Sequence, residues 1–264
     1  MTPKKWLALV IIILLAGFGL CAWPALIVIN KIRMKSLEFD PNSPRAYYNI
    51  GNFYKNNGET EKAIEEYTQA IKLDPNYVNA YYHRGMSYYI KGEIGKSILD
   101  FNKVIELNPK DFKAYNERGL SYKKEGNLES AMQDFNKAIK LNPHSSMVYN
   151  NRGLTYKSKG EINKAVDDFN RAIEIDPKDG YPYCNRGIIY FSNDDIEHAI
   201  NDYTKAIELD HFNAFYYRAN AYSRNGDKKA AISDFEIFVK LVPNDPCVPE
   251  VKEIIEKLKN QPDE

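Results

Sequence analysis

The fold of this chain is decided by a 34-residue pattern that is clearest in residues 112–145, FKAYNERGLSYKKEGNLESAMQDFNKAIKLNPHS. The pattern returns in residues 146–179, SMVYNNRGLTYKSKGEINKAVDDFNRAIEIDPKD. Both copies carry small and aromatic residues at helical spacing, a central glycine, and Asn-Pro or Asp-Pro near the end. Such a copy predicts two helices joined by a turn, with the proline ending the second helix.

The same period extends to both sides of these two copies. With Pro44 as position 1, six copies fill residues 44–245. Their bounds are 44–77, 78–111, 112–145, 146–179, 180–211 and 212–245. Position 8 is Gly51, Gly85, Gly119, Gly153 and Gly187 in the first five copies. A fixed period of this length is typical of a stacked repeat architecture.

Aromatic residues recur at three positions of the repeat, 4, 11 and 24. Position 4 holds Tyr47, Tyr81, Tyr115, Tyr149, Tyr183 and Phe215, and position 24 holds Tyr67, Phe101, Phe135, Phe169, Tyr203 and Phe235. With glycine at position 8, tyrosine at 11, a small residue at 20 and proline at 32, the pattern resembles the tetratricopeptide repeat (TPR). The resemblance implies an all-α, right-handed α-solenoid of six helical hairpins, each made of an A helix and a B helix.

Both ends of the repeat array need a cap. Residues 246–264 predict a capping helix followed by a tail, because four apolar residues fall on one helical face: Val251, Ile254, Ile255 and Leu258. Residues 36–43 carry Asp-Pro-Asn at the repeat spacing and are interpreted either as a degenerate half-repeat or as a simple connector.

The N-terminal residues have the features of a membrane anchor. Residues 6–29 contain no charged side chain. As a helix they would span about 36 Å, which is enough to cross a hydrocarbon core of about 30 Å. Trp6 stands at one end, and basic residues flank both ends. We therefore predict an anchor over residues 1–35 with a single transmembrane helix, which makes the protein a single-pass membrane protein.

A cleaved signal peptide is the alternative, and it would release an exported soluble adaptor. Cleavage after Ala22 would place Leu20 where a small residue is expected. Leu20 also disfavours lipid modification of Cys21. The excess of basic residues in 31–45 over the two lysines before the span favours a cytoplasmic repeat domain. A short Lys-Lys tail is equally typical of an exported signal anchor, so both orientations remain open.

Charge and chain length disfavour several classes of function. Residues 36–264 hold 31 basic and 36 acidic residues, which argues against a general nucleic-acid binder. Outside the anchor, the connector at 36–43 and the repeats, only residues 246–264 remain, and no metalloprotease, phosphate-binding or nucleophile motif is present. His198 and Asp202, four residues apart, are interpreted as a solvated helix face. We predict that the protein is not an enzyme and has no cofactor and no metal site.

Oppositely charged residues recur at positions 7 and 23 from the second copy onward. These are Arg84, Arg118, Arg152, Arg186 and Arg218 at position 7, and Asp100, Asp134, Asp168, Asp202 and Asp234 at position 23. Repeat 1 has Ile50 and Glu66 instead. We predict structural ion pairs that tie the A and B helices together. A basic stripe for RNA is the alternative.

The TPR resemblance implies a concave groove lined by positions 2, 5, 6, 9, 12 and 13 of the A helices. Positions 5 and 9 hold Tyr48, Asn52, Tyr82, Met86, Asn116, Leu120, Asn150, Leu154, Cys184, Ile188, Tyr216 and Asn220. Asparagine can satisfy the backbone of an extended peptide, while Tyr, Met and Leu accept its side chains. We expect a peptide or partner protein as the ligand. For the Leu and Ile positions, packing between repeats is the alternative.

Two departures from the family pattern affect this expectation. Some TPR proteins grip a C-terminal carboxylate with a set of Lys, Asn and Arg side chains. Only Asn52 and Lys113 match that set, and Glu117 has the opposite charge, so we predict no carboxylate clamp. Repeat 5 has Pro182 in its first turn and Asp194 in place of the turn glycine, which indicates either a changed stacking angle or sequence drift.

We therefore expect a membrane-anchored protein–protein interaction scaffold or adaptor that contacts the lipid bilayer through its N-terminal helix. The alternative is a self-associating structural component of an envelope or membrane assembly that binds no peptide.

Overall fold

The structure is a computed structural model that describes residues 42–260. The predicted anchor over residues 1–35, most of the connector, and residues 261–264 lie outside the described part. Within residues 42–260, no helix combines the length and the apolar character needed to span a bilayer.

The described residues form thirteen α-helices and no β-strand. In chain order the helices are α1 (Pro44–Asn56), α2 (Thr60–Leu73), α3 (Val78–Lys91), α4 (Ile94–Leu107), α5 (Phe112–Glu125), α6 (Leu128–Leu141), α7 (Ser146–Ser158), α8 (Ile162–Ile175), α9 (Gly180–Ser192), α10 (Ile196–Glu208), α11 (Ala214–Arg224), α12 (Lys228–Leu241) and α13 (Val248–Asn260).

Each repeat is one hairpin, in which an odd-numbered A helix packs on the B helix that follows it. The chain divides into two compact units, which meet between residues 109 and 110 of the sequence. Unit 1 is described over residues 42–109 and holds α1 to α4; unit 2 is described over residues 110–260 and holds α5 to α13. Within each unit, every B helix also packs against the next helix along the chain.

In repeats 1 to 5 the A and B helices approach closely because glycine stands at position 8. The aromatic side chains of position 24 are fully buried or nearly so, among them Phe135 at 0% exposed. A Cβ atom placed on Gly119 would lie only 2.8 Å from Cε1 of Phe135. Any larger residue would therefore push the ring, and with it the B helix, away from the A helix.

The turn inside each hairpin needs a left-handed residue at position 15. Gly92 takes this conformation with φ of 83°. In repeat 5, Asp194 adopts it with φ of 65°, and its Oδ1 pairs with Nη2 of Arg224 at 2.9 Å. Repeat 5 therefore keeps the same kind of turn without glycine, at the cost of backbone strain.

Helix α13 covers the last B helix, α12. Val248, Val251 and Ile255 are buried against Phe238, and Ile254 packs at the edge of the same cluster. This apolar face gives the final hairpin the neighbour that a repeat needs in order to bury its own core.

Candidate partner-binding groove

The arginines and aspartates of positions 7 and 23 come together in repeats 2 to 6. Each arginine donates Nε to one carboxylate oxygen and Nη2 to the other, at 2.6 to 3.0 Å. The pairs are Arg84–Asp100, Arg118–Asp134, Arg152–Asp168, Arg186–Asp202 and Arg218–Asp234. The aspartates are buried, and the arginine side chains are only 15 to 20% exposed.

The third nitrogen of the guanidinium reaches back to the preceding repeat. Nη1 of Arg152 donates to Oδ1 of Asn136 at 2.7 Å, and Nη1 of Arg218 donates to Oγ1 of Thr204 at 2.9 Å. Both acceptors stand at position 25 of the previous B helix. One arginine thus ties three helices together, an arrangement that the sequence signals only as an Asn or Thr recurring every 34 residues.

Aromatic rings flank each guanidinium. Cζ of Arg152 lies 5.5 Å from the ring centroid of Tyr149 and 5.7 Å from that of Tyr156. The hydrogen bond that Arg186 donates to Asp202 raises the pKa of Arg186, so this guanidinium stays charged. Because these arginines are neutralised by aspartate and largely covered by rings, they do not form an open basic stripe for RNA.

In unit 1 the groove positions form a surface rich in rings, which we call the aromatic groove surface. It consists of Tyr48, Asn52, Tyr82, His83 and Met86 on α1 and α3. The ring centroids of Tyr48 and Tyr82 each lie 5.5 Å from that of His83. Oδ1 of Asn52 accepts a hydrogen bond from the Tyr67 hydroxyl at 2.8 Å, so the core already uses this amide.

His83 is the titratable group of the aromatic groove surface. Nζ of Lys55 lies 3.4 Å from Nδ1 of His83, and the ring stacks on Tyr67 at a centroid distance of 5.9 Å. Burial lowers the pKa of His83 to about 4, and the charge of Lys55 acts in the same direction. His83 is therefore neutral at pH 7.

In unit 2 the groove carries amides and charged residues, and we call this the amide groove surface. It consists of Glu117, Lys123, Asn151, Lys157 and Asn185 on α5, α7 and α9. Nδ2 of Asn151 donates to Oδ1 of Asn116 at 2.9 Å. One repeat later, Nδ2 of Asn185 donates to Oδ1 of Asn150 at the same distance. The two asparagines at position 6 are thereby held in matching orientations.

Three of the predicted groove residues are interior and cannot contact a partner. Asn116 is 0% exposed, Asn150 is 9% and Cys184 is 2%. Asn116 and Asn150 lie beneath the position 6 side chain of the following repeat, because their carbonyl oxygens accept its hydrogen bond. Position 6 therefore presents the amide in these repeats, and the assignment of Asn116, Asn150 and Cys184 to the groove is corrected.

The remaining predicted residues of unit 2 combine packing with partial exposure. Leu120, Leu154 and Ile188 are half-buried, and each packs against a hydrophobic core cluster. Tyr216 packs on the core ring of position 24, and Nδ2 of Asn220 donates to the Tyr216 carbonyl oxygen at 2.7 Å. These side chains support the groove from below and expose only part of their surface.

Family comparisons match nearly the whole repeat region. Models described as tetratricopeptide repeat match residues 34–65, 112–145, 146–179, 181–213 and 213–245, and a model described as TPR repeat matches residues 54–89 and 85–126. The chain belongs to the tetratricopeptide repeat family. TPR proteins generally mediate protein–protein interactions, and their fold is typically a non-catalytic scaffold.

Solved TPR structures share the fold of this TPR protein. A chain of the APC/C hetero-tetramer Cut9–Hcn1 has a TM-score of 0.73 at 17% identity and covers 86% of this chain, which spans 45% of that neighbour. MamA is 28% identical, with a TM-score of 0.54 over 63% of this chain and 98% of its own. YrrB, described as a TPR protein with an unusual peptide-binding site, is 23% identical, with a TM-score of 0.52 over 70% and 97%. No curated protein matches the sequence.

The groove predicted from the sequence did not include three charged residues of this TPR surface, Glu117, Lys123 and Lys157. Oε1 of Glu117 accepts a hydrogen bond from Nδ2 of Asn116 at 3.0 Å, and burial raises the pKa of Glu117. Lys123 and Lys157 occupy position 12, and both are half-buried. That prediction named residues at positions 5 and 9 only, although positions 6 and 12 belong to the same face of the A helix.

The described residues of the TPR protein contain no group of three or more His, Cys, Asp or Glu that could hold a metal ion. Nδ1 of His198 contacts Oδ1 of Asp195 at 2.8 Å, whereas Asp202 is bound by Arg186. His198 and Asp202 therefore serve different contacts. Burial raises the pKa of the Cys184 thiol to about 12, so this cysteine is protonated at neutral pH.

Proposed function

We propose that the protein is a membrane-anchored interaction scaffold whose TPR groove binds an extended peptide or a segment of a partner protein. The observation that supports this most is the pair of half-exposed asparagines, Asn151 and Asn185. Each uses one amide N–H to bind the buried asparagine of the preceding repeat. The second N–H and the carbonyl oxygen can then pair with a peptide backbone.

Two further observations support a peptide ligand. The arginines of position 7 and the aspartates of position 23 bind each other. A ligand would therefore be recognised by the groove positions and not by these charged residues. YrrB, which has the same fold, is described as having a peptide-binding site. A groove of amides, rings and aliphatic side chains suits a peptide better than a nucleic acid, because it offers few cations to phosphates.

The anchor is part of this proposal, and its support comes from the uncharged residues 6–29. Full-length protein should stay in the membrane pellet after an alkaline carbonate wash, whereas a variant that lacks residues 1–35 should move to the supernatant. Protease treatment of sealed vesicles would then identify the side on which the repeats lie. Release of the intact full-length chain by carbonate would refute a spanning anchor.

Capture of a partner tests the groove directly. We would crosslink membranes that contain the wild type or the Asn151→Ala/Asn185→Ala variant, solubilise them and identify the captured proteins. The matched control is Asn163→Ala/Asn201→Ala, which removes two exposed amides on B helices. The proposal expects a partner to be lost only from the groove variant. Equal capture by all three proteins would contradict it.

Self-association is the second candidate function. Two large apolar side chains of unit 1 favour it, since Ile90 is 63% exposed and Leu99 is 66% exposed. Light scattering of the protein in detergent at several concentrations measures this property. A mass that rises with concentration and falls in an Ile90→Ser/Leu99→Ser variant, without any captured partner, would favour the structural role.

A further inference from the structure

Two lysines of unit 2 lie in equivalent places on neighbouring A helices. Lys123 on α5 and Lys157 on α7 both occupy position 12, and the two helices contact each other. Both side chains are half-buried, although lysine is normally found exposed. In the part of the chain that the structure describes, neither lysine forms an ion pair, whereas the nearby Lys159 pairs with Glu161 and Glu129.

Because Lys123 and Lys157 are half-buried, water hydrates their side chains only in part. Burial lowers the pKa of Lys123, and the charge of Lys157 lowers it further. Half-buried like charges in proximity are unfavourable unless an anion lies between them. An incoming carboxylate would supply that anion and accept a hydrogen bond from each ammonium group.

The asparagines of the amide groove surface lie within reach of the same site. Asn151 and Lys157 belong to α7 and are six residues apart, about 9 Å along the helix axis at roughly 1.5 Å per residue. An Asp or Glu side chain that leaves a backbone held at the asparagines can cover part of this distance, and the flexible lysine covers the rest. A C-terminal carboxylate would instead remain in line with the bound backbone.

Glu117 would influence the direction in which an acidic ligand binds. It stands at position 6 of α5, one repeat before Asn151, and hydrogen-bonds Asn116. Its negative charge would repel an acidic side chain at that end of the groove. The acidic residue of a ligand is therefore directed away from Glu117 and towards the lysines.

We propose that the amide groove surface binds an extended peptide segment of a partner protein with an acidic side chain seated between Lys123 and Lys157. The inference rests on the proposed peptide-binding function and adds the chemistry of the partner. The site is distinct from a carboxylate clamp, because it uses position 12 of two successive repeats and reads a side chain.

The test is a selection of short random peptides displayed on phage. The full-length chain is immobilised in detergent as the wild type, as Lys123→Glu/Lys157→Glu, and as the control Lys137→Glu/Lys140→Glu, which makes the same charge change on the exposed face of α6. Circular dichroism verifies the helical content of each protein. An enriched sequence is then synthesised with its acidic residue and with the corresponding amide.

The proposal expects Asp or Glu at one fixed position in peptides selected by the wild type and by the control. The charge-reversed variant should select Lys or Arg there. Exchange of acid for amide in the synthetic peptide should weaken binding about tenfold, the effect of losing one well-formed charged contact.

Three results would overturn the proposal, and they differ from one another. Peptides selected without a preference for acid, or an unchanged preference in the charge-reversed variant, would refute the lysine site while the peptide groove stands. Failure of all folded proteins to enrich any peptide would refute the groove function itself. Tighter retention of a single-stranded oligonucleotide than of the acidic peptide would also contradict it, since phosphate would then be the better anion.

Discussion

The aromatic groove surface of unit 1 and the amide groove surface of unit 2 are built on the same repeat pattern but present different chemistry. In unit 1, Tyr48, Tyr82 and His83 form a cluster of rings that contains a neutral imidazole. In unit 2, Asn151 and Asn185 each donate to a buried asparagine, and two half-buried lysines belong to the same surface. The difference teaches that the hairpin framework tolerates different side chains at positions 5, 6 and 12, so the exposed ones among them can specify ligands.

The framework beneath the two surfaces is the same. Arg84 in unit 1 and Arg152 in unit 2 bind their aspartates with the same two hydrogen bonds. A glycine at position 8 lies under an aromatic ring in both units.

The largest effect is expected from the buried ion pairs. Arg84→Ala and Arg152→Ala should each lower the free energy of unfolding by about 3 kcal/mol, because a buried carboxylate loses its partner. Urea unfolding followed by circular dichroism measures the change. Arg171→Ala, which removes an exposed pair with Glu174, should leave the midpoint unchanged. A large loss in only one unit would show that the two frameworks differ.

A somewhat smaller effect is expected at position 8. Gly119→Ala should cost about 2 kcal/mol, because its Cβ would lie 2.8 Å from Phe135. Gly95 is the matched control, since it lies in helix α4 and nothing lies within 4 Å of a Cβ there. Gly95→Ala should be neutral or should stabilise the helix. Thermal unfolding of both variants would measure the contrast, and equal destabilisation would contradict the packing argument.

The pH dependence of unit 1 should reflect His83. Its folded pKa of about 4 lies below the unfolded value of 6.5, so the unfolded chain binds more protons between these values. Stability should therefore fall as the pH is lowered from 6.5 to 4, by about 1–2 kcal/mol after allowance for the partly exposed ring. Hydrogen exchange of α3 amides at several pH values measures it.

A variant that cannot titrate provides the control for His83. His83→Asn should lose this part of the pH dependence, whereas His144→Asn, at an exposed position, should retain it. If both variants keep the pH dependence of the wild type, protonation of His83 is not its cause.

The smallest effect is expected at Glu117 in unit 2. Because burial raises its pKa, the ionised form is unfavourable in the folded state and costs stability as the pH rises. Glu117→Gln should raise stability at pH 7 by about 1 kcal/mol, a typical single-residue effect. The gain should be smaller at pH 4, because much of the carboxyl is then protonated in the unfolded state as well as in the folded state. Paired urea titrations at the two pH values test this, and a gain of the same size at low pH would refute the electrostatic cause.

The turn of repeat 5 shows what the local sequence can and cannot predict. Asp194 in place of the turn glycine suggested either altered stacking or drift, yet Asp194 adopts the left-handed conformation that glycine takes in the other repeats. Aspartate tolerates this region better than most residues. The ion pair from Arg224, in the next repeat, could not be predicted from the turn itself.

The exposure of the groove residues, in contrast, could not be predicted from the sequence. Asn116 and Asn150 have the residue type expected of a peptide-binding surface, but the asparagines of the next repeat cover them. Which of two adjacent positions faces a ligand depends on the rotation between successive hairpins. Packing between repeats sets that rotation, which cannot be predicted from the 34-residue pattern.

The sequence by itself determined the helical hairpins, their number and the residues that join them, because periodic glycines, rings and charges act over short distances within one repeat. It also determined the uncharged segment at residues 6–29. The tertiary structure decided which groove side chains are exposed, that Arg152 reaches Asn136 of the preceding repeat, and that Lys123 and Lys157 form no ion pair among the described residues. Those outcomes depend on contacts between repeats, where burial and charge are set by neighbours about 34 residues away in the chain.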